Sequence, residues 1–274
     1  MKLNIEMPKE ISRVNLMQCE GCQLRFYTPA IVGDGGFYHK LSAIPWYYAQ
    51  HKDEYDYAKK LISESDHVLS IGSGNGYFSK LIPTKKYVGL EINKEAAKQN
   101  PQILIEDIAT HAKSNAEKYD VVCSFQVLEH IENPREFLQS AVKCLKKGGT
   151  LIMSVPSEDS YVGEIINGAL NLPPHHQTRW TDGALAGIAT LFNLEMKDIY
   201  HETLPPTQYK LYLRTIFMKS FYKLFWRKQR VVDTSIVFWL SLIKAEVLAL
   251  FFKRGMSVKT APYGHTVTAV YIKK

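Results

Sequence analysis

Two groups of residues in this chain have types and spacings suited to chemistry. The first is Gly72-Ser73-Gly74-Asn75-Gly76, with Glu91 lying 15 positions beyond the last glycine. A turn without β-carbons lets a ligand touch the backbone, and a carboxylate one strand over can accept from both hydroxyls of a ribose. Together they predict a cofactor that contains a nucleoside. The second group is Leu172-Pro173-Pro174-His175-His176-Gln177-Thr178-Arg179-Trp180-Thr181. Histidine takes and gives protons near neutral pH, and prolines stiffen a loop so that imidazoles are held in place.

These groups need elements to position them. Val68, Leu69 and Ile71 read as a buried parallel strand, and the glycines turn it into a short helix from Tyr77 to Ile82. Tyr87 to Leu90 is the next strand and delivers Glu91 at its end. Ile103-Leu104-Ile105-Glu106-Asp107 reads as a third strand ending in acid, and Asp120 to Phe125 as a fourth that runs into Gln126-Val127-Leu128-Glu129-His130. A helix from about Pro134 to Leu145 places Phe137, Leu138, Ala141, Val142 and Leu145 on one face, with Gly148-Gly149 as its end. Thr150 to Pro156 follows as a strand. Thr181 caps a helix that runs to Phe192, and Leu194–His201 and His265–Ile272 are the last two strands.

Spacing narrows the cofactor. The dinucleotide fingerprint is G-x-G-x-x-G with its acid about 20 residues on; here the third glycine comes one residue earlier and the acid sooner. The chain resembles class I S-adenosylmethionine (SAM) methyltransferases, whose G-x-G-x-G loop wraps a cofactor without phosphate. Phe125-Gln126-Val127-Leu128-Glu129-His130, then Asn133-Pro134 and the P-P-H-H-x-x-R-W run, resemble the subgroup called methyltransferase type 23. The likeness covers roughly residues 19–203 and the last ten. It implies an α/β, Rossmann-like fold with a seven-stranded, mostly parallel sheet and an antiparallel last strand.

The resemblance also implies roles. Gly72, Ser73, Gly74 and Gly76 would contact the methionine part of SAM through backbone, Glu91 the ribose, and Ile92 the adenine. Asp107 would accept from the adenine amino group with Ile108 beside it, although Glu106 is an alternative acceptor and Asp107 also suits a helix N-cap. The backbone of Phe125 and Gln126 would hold the amino-acid end. Glu129 and His130 would either face the substrate or bond a neighbouring loop. Residues 172–181 fall where the family places a substrate-covering loop. There His175 or His176 is the expected general base, Arg179 positions the acceptor, and Trp180 lines the loop.

Ahead of the core, Cys19-x-x-Cys22 resembles half of a zinc ribbon. A structural zinc needs four ligands, so a vestigial knuckle is expected there and no metal. Tyr38, Tyr47 and Tyr48 belong to an aromatic lead-in helix that would fold over the site as a lid. Four cysteines are too few for a disulfide scaffold, and the opening stretch carries Glu6, Pro8 and Glu10 rather than a secretion signal. These features predict a cytoplasmic protein.

A long insertion separates the last two strands. From Gln208 to Lys259 there are 11 Lys and Arg against two acids, a net +9, whereas the whole chain is +7 and the remainder is therefore −2. Lys219, Lys223, Arg227 and Arg230 share one helical face, with Phe217, Met218, Phe221, Leu224 and Phe225 opposite and Trp226 at the boundary. Such a helix suits an anionic membrane surface. The apolar run from Ile236 to Phe252, interrupted by Lys244 and Glu246, is too short and too charged to read as a span. The insertion reads as a cap or homodimer face, or as a peripheral membrane attachment through 208–254 at the inner face; no nucleic-acid module is present.

The expected organisation is a lead-in (1–57), a SAM-binding core (58–206), a basic helical insertion (207–260) and a final strand (261–274). The expected function is SAM-dependent O-methylation of a sugar, glycolipid or surface-polymer precursor. The alternatives are a quinone-type or other small aromatic lipid acceptor, or a non-catalytic SAM-binding scaffold.

Overall fold

The computed structural model describes residues 13–33, 36–37, 41, 52–98, 100–224, 231–255 and 262–274. The expected lid residues Tyr38, Tyr47 and Tyr48 and the basic residues Arg227 and Arg230 lie outside the described residues.

The strands are β1 (Asn15–Gln18), β2 (Arg25–Thr28), β3 (Val68–Ile71), β4 (Tyr87–Leu90), β5 (Ile103–Leu104), β6 (Tyr119–Phe125), β7 (Leu145–Pro156), β8 (Thr178–Arg179), β9 (Leu194–Thr203) and β10 (Tyr263–Lys273). The helices are α1 (Asp53–Ala58), α2 (Lys94–Ala97), α3 (Ile108–His111), α4 (Pro134–Cys144), α5 (Asp182–Leu191), α6 (Tyr209–Leu224) and α7 (Ile236–Phe252). Seven strands form one sheet in the order β5-β4-β3-β6-β7-β10-β9. Pairing from β5 through β7 is parallel, and β10 runs antiparallel to both β7 and β9. This is the α/β, Rossmann-like architecture that the family resemblance implies, with one antiparallel strand, β10.

The central strands are apolar at nearly every position because both faces are covered. Phe137, Leu138 and Ala141 of α4 and Leu185 and Ile188 of α5 pack on one face, with Leu69, Val122, Leu151 and Ala269 beneath them. Ala58, Ile62, Phe78 and Ile82 cover the other, against Val68, Val121 and Ile152. The Thr181 hydroxyl accepts from the Ala184 amide at 3.0 Å, the predicted start of α5.

Two boundaries differ from expectation. Helix α4 ends at Cys144, and Gly148-Gly149 lie inside β7 rather than after the helix. A β-carbon at Gly149 would sit 2.9 Å from the Lys146 carbonyl and 3.0 Å from that of Asp120. The glycine is there because the strand passes close to its neighbour at an irregularity in the β6–β7 register. Strand β5 is confined to Ile103 and Leu104, so Ile105 and Glu106 fall beyond it.

A second sheet was not foreseen. The β1–β2 hairpin adds β8 along its free edge, pairing Arg25 with Arg179 and Phe26 with Thr178. Cys19 and Cys22 form the hairpin turn, where the Gln23 amide donates to the Cys19 carbonyl at 2.9 Å. The Cys22 side chain lies against α5 at Gly187.

The insertion is an antiparallel pair, α6 and α7, docked on residues 161–167. Asn167 donates to the Asp233 carbonyl at 2.7 Å and accepts from its amide at 2.9 Å, and the Tyr222 hydroxyl donates to the Asp233 carboxylate at 2.7 Å. Met218 and Tyr222 are buried against Phe238 and Ala245, with Phe217 and Phe221 packed beside them. The apolar face of α6, which the sequence offered to a membrane, is therefore largely covered by α7. Lys219 pairs with Glu164 at 2.6 Å, and Lys210 pairs with Glu246. The exposed apolar stripe belongs to α7 instead: Ile236, Trp239, Leu240, Ile243, Val247 and Phe251. No helix among the described residues is long and apolar enough to cross a membrane.

Candidate active site

The glycine loop follows β3 at its C-terminal end, where ligands bind in open parallel sheets. Gly72 has φ +65°, and a β-carbon there would lie 2.4 Å from a Val127 methyl. The loop is thus packed directly against the segment that follows β6. The Ser73 amide donates to the Leu90 carbonyl at 2.9 Å, tying the loop to the end of β4.

Glu91 follows β4 directly and stands against the glycine loop. One carboxylate oxygen accepts from the Gly74 amide and the other from the Asn93 amide, both at 2.8 Å. Each oxygen keeps a second lone pair, so the group is braced and still able to accept from two hydroxyls. Ile92, next to it, is 72% exposed and forms an open apolar step. Asp107 behaves as the N-cap that was its alternative reading. Its carboxylate accepts from the Thr110 amide at 2.8 Å and the Thr110 hydroxyl at 3.0 Å, and these bonds hold its pKa below the usual carboxylate range. Glu106 pairs with His111 at 2.9 Å. Ile108 is buried in the core and not open to a ligand.

Phe125 ends β6 in an aromatic cluster, with ring centroids 4.9 Å from Tyr55 and 4.8 Å from Phe78. Tyr55 belongs to α1, so this part of the lead-in does reach the site. Gln126 is held at φ +58°, and its amide donates to the Ser154 carbonyl at 2.9 Å. Glu129 is buried, and burial pushes its carboxyl up to about 8. Its Oε1 lies 3.7 Å from His130 Nε2 and 4.0 Å from His176 Nε2, and its Oε2 has no hydrogen-bond partner among the described residues.

The histidine loop folds directly over these groups. His175 Nδ1 donates to the Leu170 carbonyl at 2.7 Å, and His130 Nδ1 donates to the His175 carbonyl at 2.6 Å. His176 Nδ1 lies 3.0 Å from Asn171 Oδ1, and the Asn171 amide nitrogen donates to the Val162 carbonyl. The His175 and His176 rings stack with centroids 4.6 Å apart. Burial lowers the pKa of all three, His130 to about 3 and His176 well below the ordinary histidine range. Carbonyl acceptors fix the proton on Nδ1, which leaves Nε2 as the basic nitrogen of each neutral ring.

Arg179 and Trp180 require correction. The Arg179 guanidinium is buried and donates to Glu158 Oε2 at 2.8 Å and to the Gly163 carbonyl at 3.2 Å. Arg25 takes the other Glu158 oxygen at 2.6 Å. This buried clasp ties the β1–β2 hairpin to the loop and commits Arg179 to structure rather than to an acceptor. Trp180 is a core residue whose ring nitrogen donates to the Thr178 hydroxyl at 2.9 Å, so it does not line the loop.

The structure adds buried groups that sequence reasoning missed. Glu54 of α1 and Glu202 of β9 are both pushed above the usual carboxylate range by burial. His265 of β10 is lowered to about 4 for the same reason, and its field reaches His176. Glu202 accepts from the Thr266 amide at 2.9 Å, and Gln126 reaches the Thr266 hydroxyl. No short motif marks these residues; they meet because β10 is inserted beside β7. A separate cleft between the insertion and the core is lined by Glu164, Ile165, Arg214, Met218 and Phe238, away from the glycine loop.

A glycine loop braced by the acid of the next strand, on a seven-stranded sheet with antiparallel β10, defines a class I SAM-dependent methyltransferase. The methyltransferase-domain family model, type 23, matches residues 46–199, and the chain belongs to that family. An uncharacterised protein of Methanocaldococcus jannaschii is 33% identical over 100 residues, covering 35% of this chain and 48% of that protein. A ubiquinone biosynthesis O-methyltransferase of Haemophilus ducreyi is 31% identical over 132 residues, covering 42% of this chain and 53% of that enzyme. The chain spans about half the length of the curated relatives it matches. A SAM-dependent methyltransferase from Archaeoglobus fulgidus superposes with a TM-score of 0.53 at 16% identity, over 86% of this chain and 100% of that one. Coclaurine N-methyltransferase, solved with N-methylheliamine and S-adenosylhomocysteine, gives 0.50 at 13% identity over 90% and 84%. These structural likenesses are of fold.

Proposed function

We propose that this protein transfers the methyl group of SAM to a hydroxyl oxygen of a lipid-borne acceptor, with the His175–His176 pair taking the hydroxyl proton. The observation that carries this reading is the pair itself: two buried imidazoles, stacked on each other and oriented through Nδ1, with Glu129 beside His176. Methyl transfer from a sulfonium is an in-line displacement that needs alignment and exclusion of water. An alcohol or phenol also needs a base, which an oriented neutral histidine supplies. The acceptor oxygen forms the new C–O bond as the S–CH3 bond breaks, the sulfur keeps the electron pair, and the imidazole keeps the proton.

In this reading Gly72, Ser73, Gly74 and Gly76 carry the methionine end, Glu91 the ribose and Ile92 the adenine. The backbone of Phe125 and Gln126 would hold the amino-acid end. The curated relatives named for ubiquinone biosynthesis favour a quinone-type acceptor. The basic insertion favours a second class, a sugar or glycolipid on an anionic carrier. Incubating the purified protein with SAM and one acceptor of each class, and following methylated product by mass, separates the two. A cofactor that binds and is never consumed with either class would support the scaffold reading instead.

Replacing His176 with Gln is expected to lower kcat by about 100-fold or more while leaving SAM affinity within about twofold. The pH profile carries a further sign. A base whose folded pKa is lowered stays unprotonated as the pH falls, so the kcat/KM plateau should extend below pH 6.5 instead of bending there. A profile that bends at the ordinary histidine pKa would exclude a buried imidazole as the base.

The exposed stripe on α7 would bring the protein to a membrane surface carrying such an acceptor. Trp239→Glu with Ile243→Glu should abolish sedimentation with anionic phospholipid vesicles and leave SAM binding intact. Equal sedimentation of the double variant, or a stripe covered by a second copy in solution, would rule out lipid contact by this face.

A further inference from the structure

The sequence alone led to no expected metal, and the Cys19–Cys22 pair reads as a vestigial knuckle. Among the described residues the group of potential ligands that converges lies elsewhere. One ring nitrogen from each of His130, His175 and His176 lies within 4.8 Å of the other two. The ring centroids are 4.5 to 4.9 Å apart.

Three features of this cluster point to a cation. Each ring directs Nδ1 at an oxygen, two at backbone carbonyls and one at the Asn171 side chain. That arrangement is the usual support of metal-bound histidine, because it fixes the tautomer and turns the Nε2 lone pair toward the ion. Second, Nε2 of His130 and of His176 lie 3.7 and 4.0 Å from Oε1 of Glu129, so an acidic side chain stands beside the same point. Third, Glu129 Oε2 is buried with no hydrogen-bond partner among the described residues, although a buried oxygen of this kind ordinarily has one.

We propose that His130, His175 and His176 bind a divalent first-row transition ion, with Glu129 as the acidic side chain beside it. Imidazole-rich sites suit such ions. Ligand nitrogens about 2.1 Å from a tetrahedral ion stand about 3.4 Å apart, so small rotations of the rings would close the cluster onto it. The site deepens the methyl-transfer reading and rests on it for its purpose. An ion held there would polarise an acceptor hydroxyl, and the imidazoles would then act as its ligands, the alternative to their direct role as base in that reading.

Ion binding is measured without cofactor or acceptor. Protein purified without an immobilised-nickel step, stripped with chelator and titrated with Co(II) should develop the visible absorption of a low-symmetry nitrogen and oxygen site, saturating at one ion per chain. His130→Gln and His176→Gln should each weaken Co(II) by about 100-fold or more, and Cys19→Ser with Cys22→Ser should change nothing. Asn171→Ala keeps all three rings, removes one support and should weaken Co(II) by about 10- to 100-fold. SAM binding by the same variants reports folding and tests the cofactor reading separately. Wild-type protein that fails to bind Co(II), or binding that survives in both histidine variants, would overturn the metal site; loss of SAM binding by the wild type would overturn the methyltransferase reading alone.

Discussion

Glu91→Ala is expected to reduce SAM affinity by about 100-fold or more, the largest effect of any single change at the cofactor site. Hydrogen bonds to a charged acceptor contribute about 1.5–3 kcal/mol each, and a ribose offers two. The same change removes the brace under the loop, leaving the Gly74 and Asn93 amides without the carboxylate they share. Glu91→Gln separates these contributions, since an amide can brace the loop at one oxygen and still accept one hydroxyl. Isothermal titration of SAM and S-adenosylhomocysteine against both variants provides the measurement. Unchanged affinity in the alanine variant would show that the ribose lies elsewhere.

The second large effect concerns stability. Glu158→Gln should destabilise the fold by about 3–5 kcal/mol, because it leaves the buried Arg179 guanidinium without its counter-charge. Arg25, the outer partner, is partly exposed and can be re-solvated, so Arg25→Gln should cost far less. Urea unfolding followed by circular dichroism measures both. Were Arg179 instead a substrate residue, Glu158→Gln would change KM and leave the unfolding midpoint alone. Leu172 to Trp180 is joined to the N-terminal hairpin by this clasp and by the β2–β8 pairing, so loosening of the loop should accompany the loss in stability.

The core was legible in the sequence because its signals are local. Val68 to Ile71, the glycine turn and Tyr87 to Leu90 follow one another closely along the chain and carry both their periodicity and their punctuation. The capping role of Thr181 and the ends of α5 were readable for the same reason. The small sheet was not. β1 and β2 are short strands of mixed exposure, and their partner β8 is shorter still and lies far down the chain. No window along the chain contains that pairing. Arg179 shows the resulting error: beside two histidines it reads as a substrate arginine, but Glu158, well upstream of the histidine loop, holds it. His130 and His175 could be named singly, yet 45 positions separate them and only the fold makes them neighbours. In the insertion both helices were recognised, whereas the choice of which apolar face is covered depended on how they pair.

The position of β10 bears on how the molecule is made. It lies between β7 and β9, so the sheet is completed from its interior by a strand that follows the insertion. During synthesis β7 and β9 emerge with their facing edges unpaired, and the apolar insertion helices follow before the strand that joins those edges. His265, whose field reaches His176, and Thr266, whose hydroxyl Gln126 reaches, arrive with that strand. These polar groups and the closure of the sheet therefore come together in one event. A nascent chain is most open to aggregation just before it, and a change that slows β10 insertion would appear as poor yield of a protein whose folded form is sound.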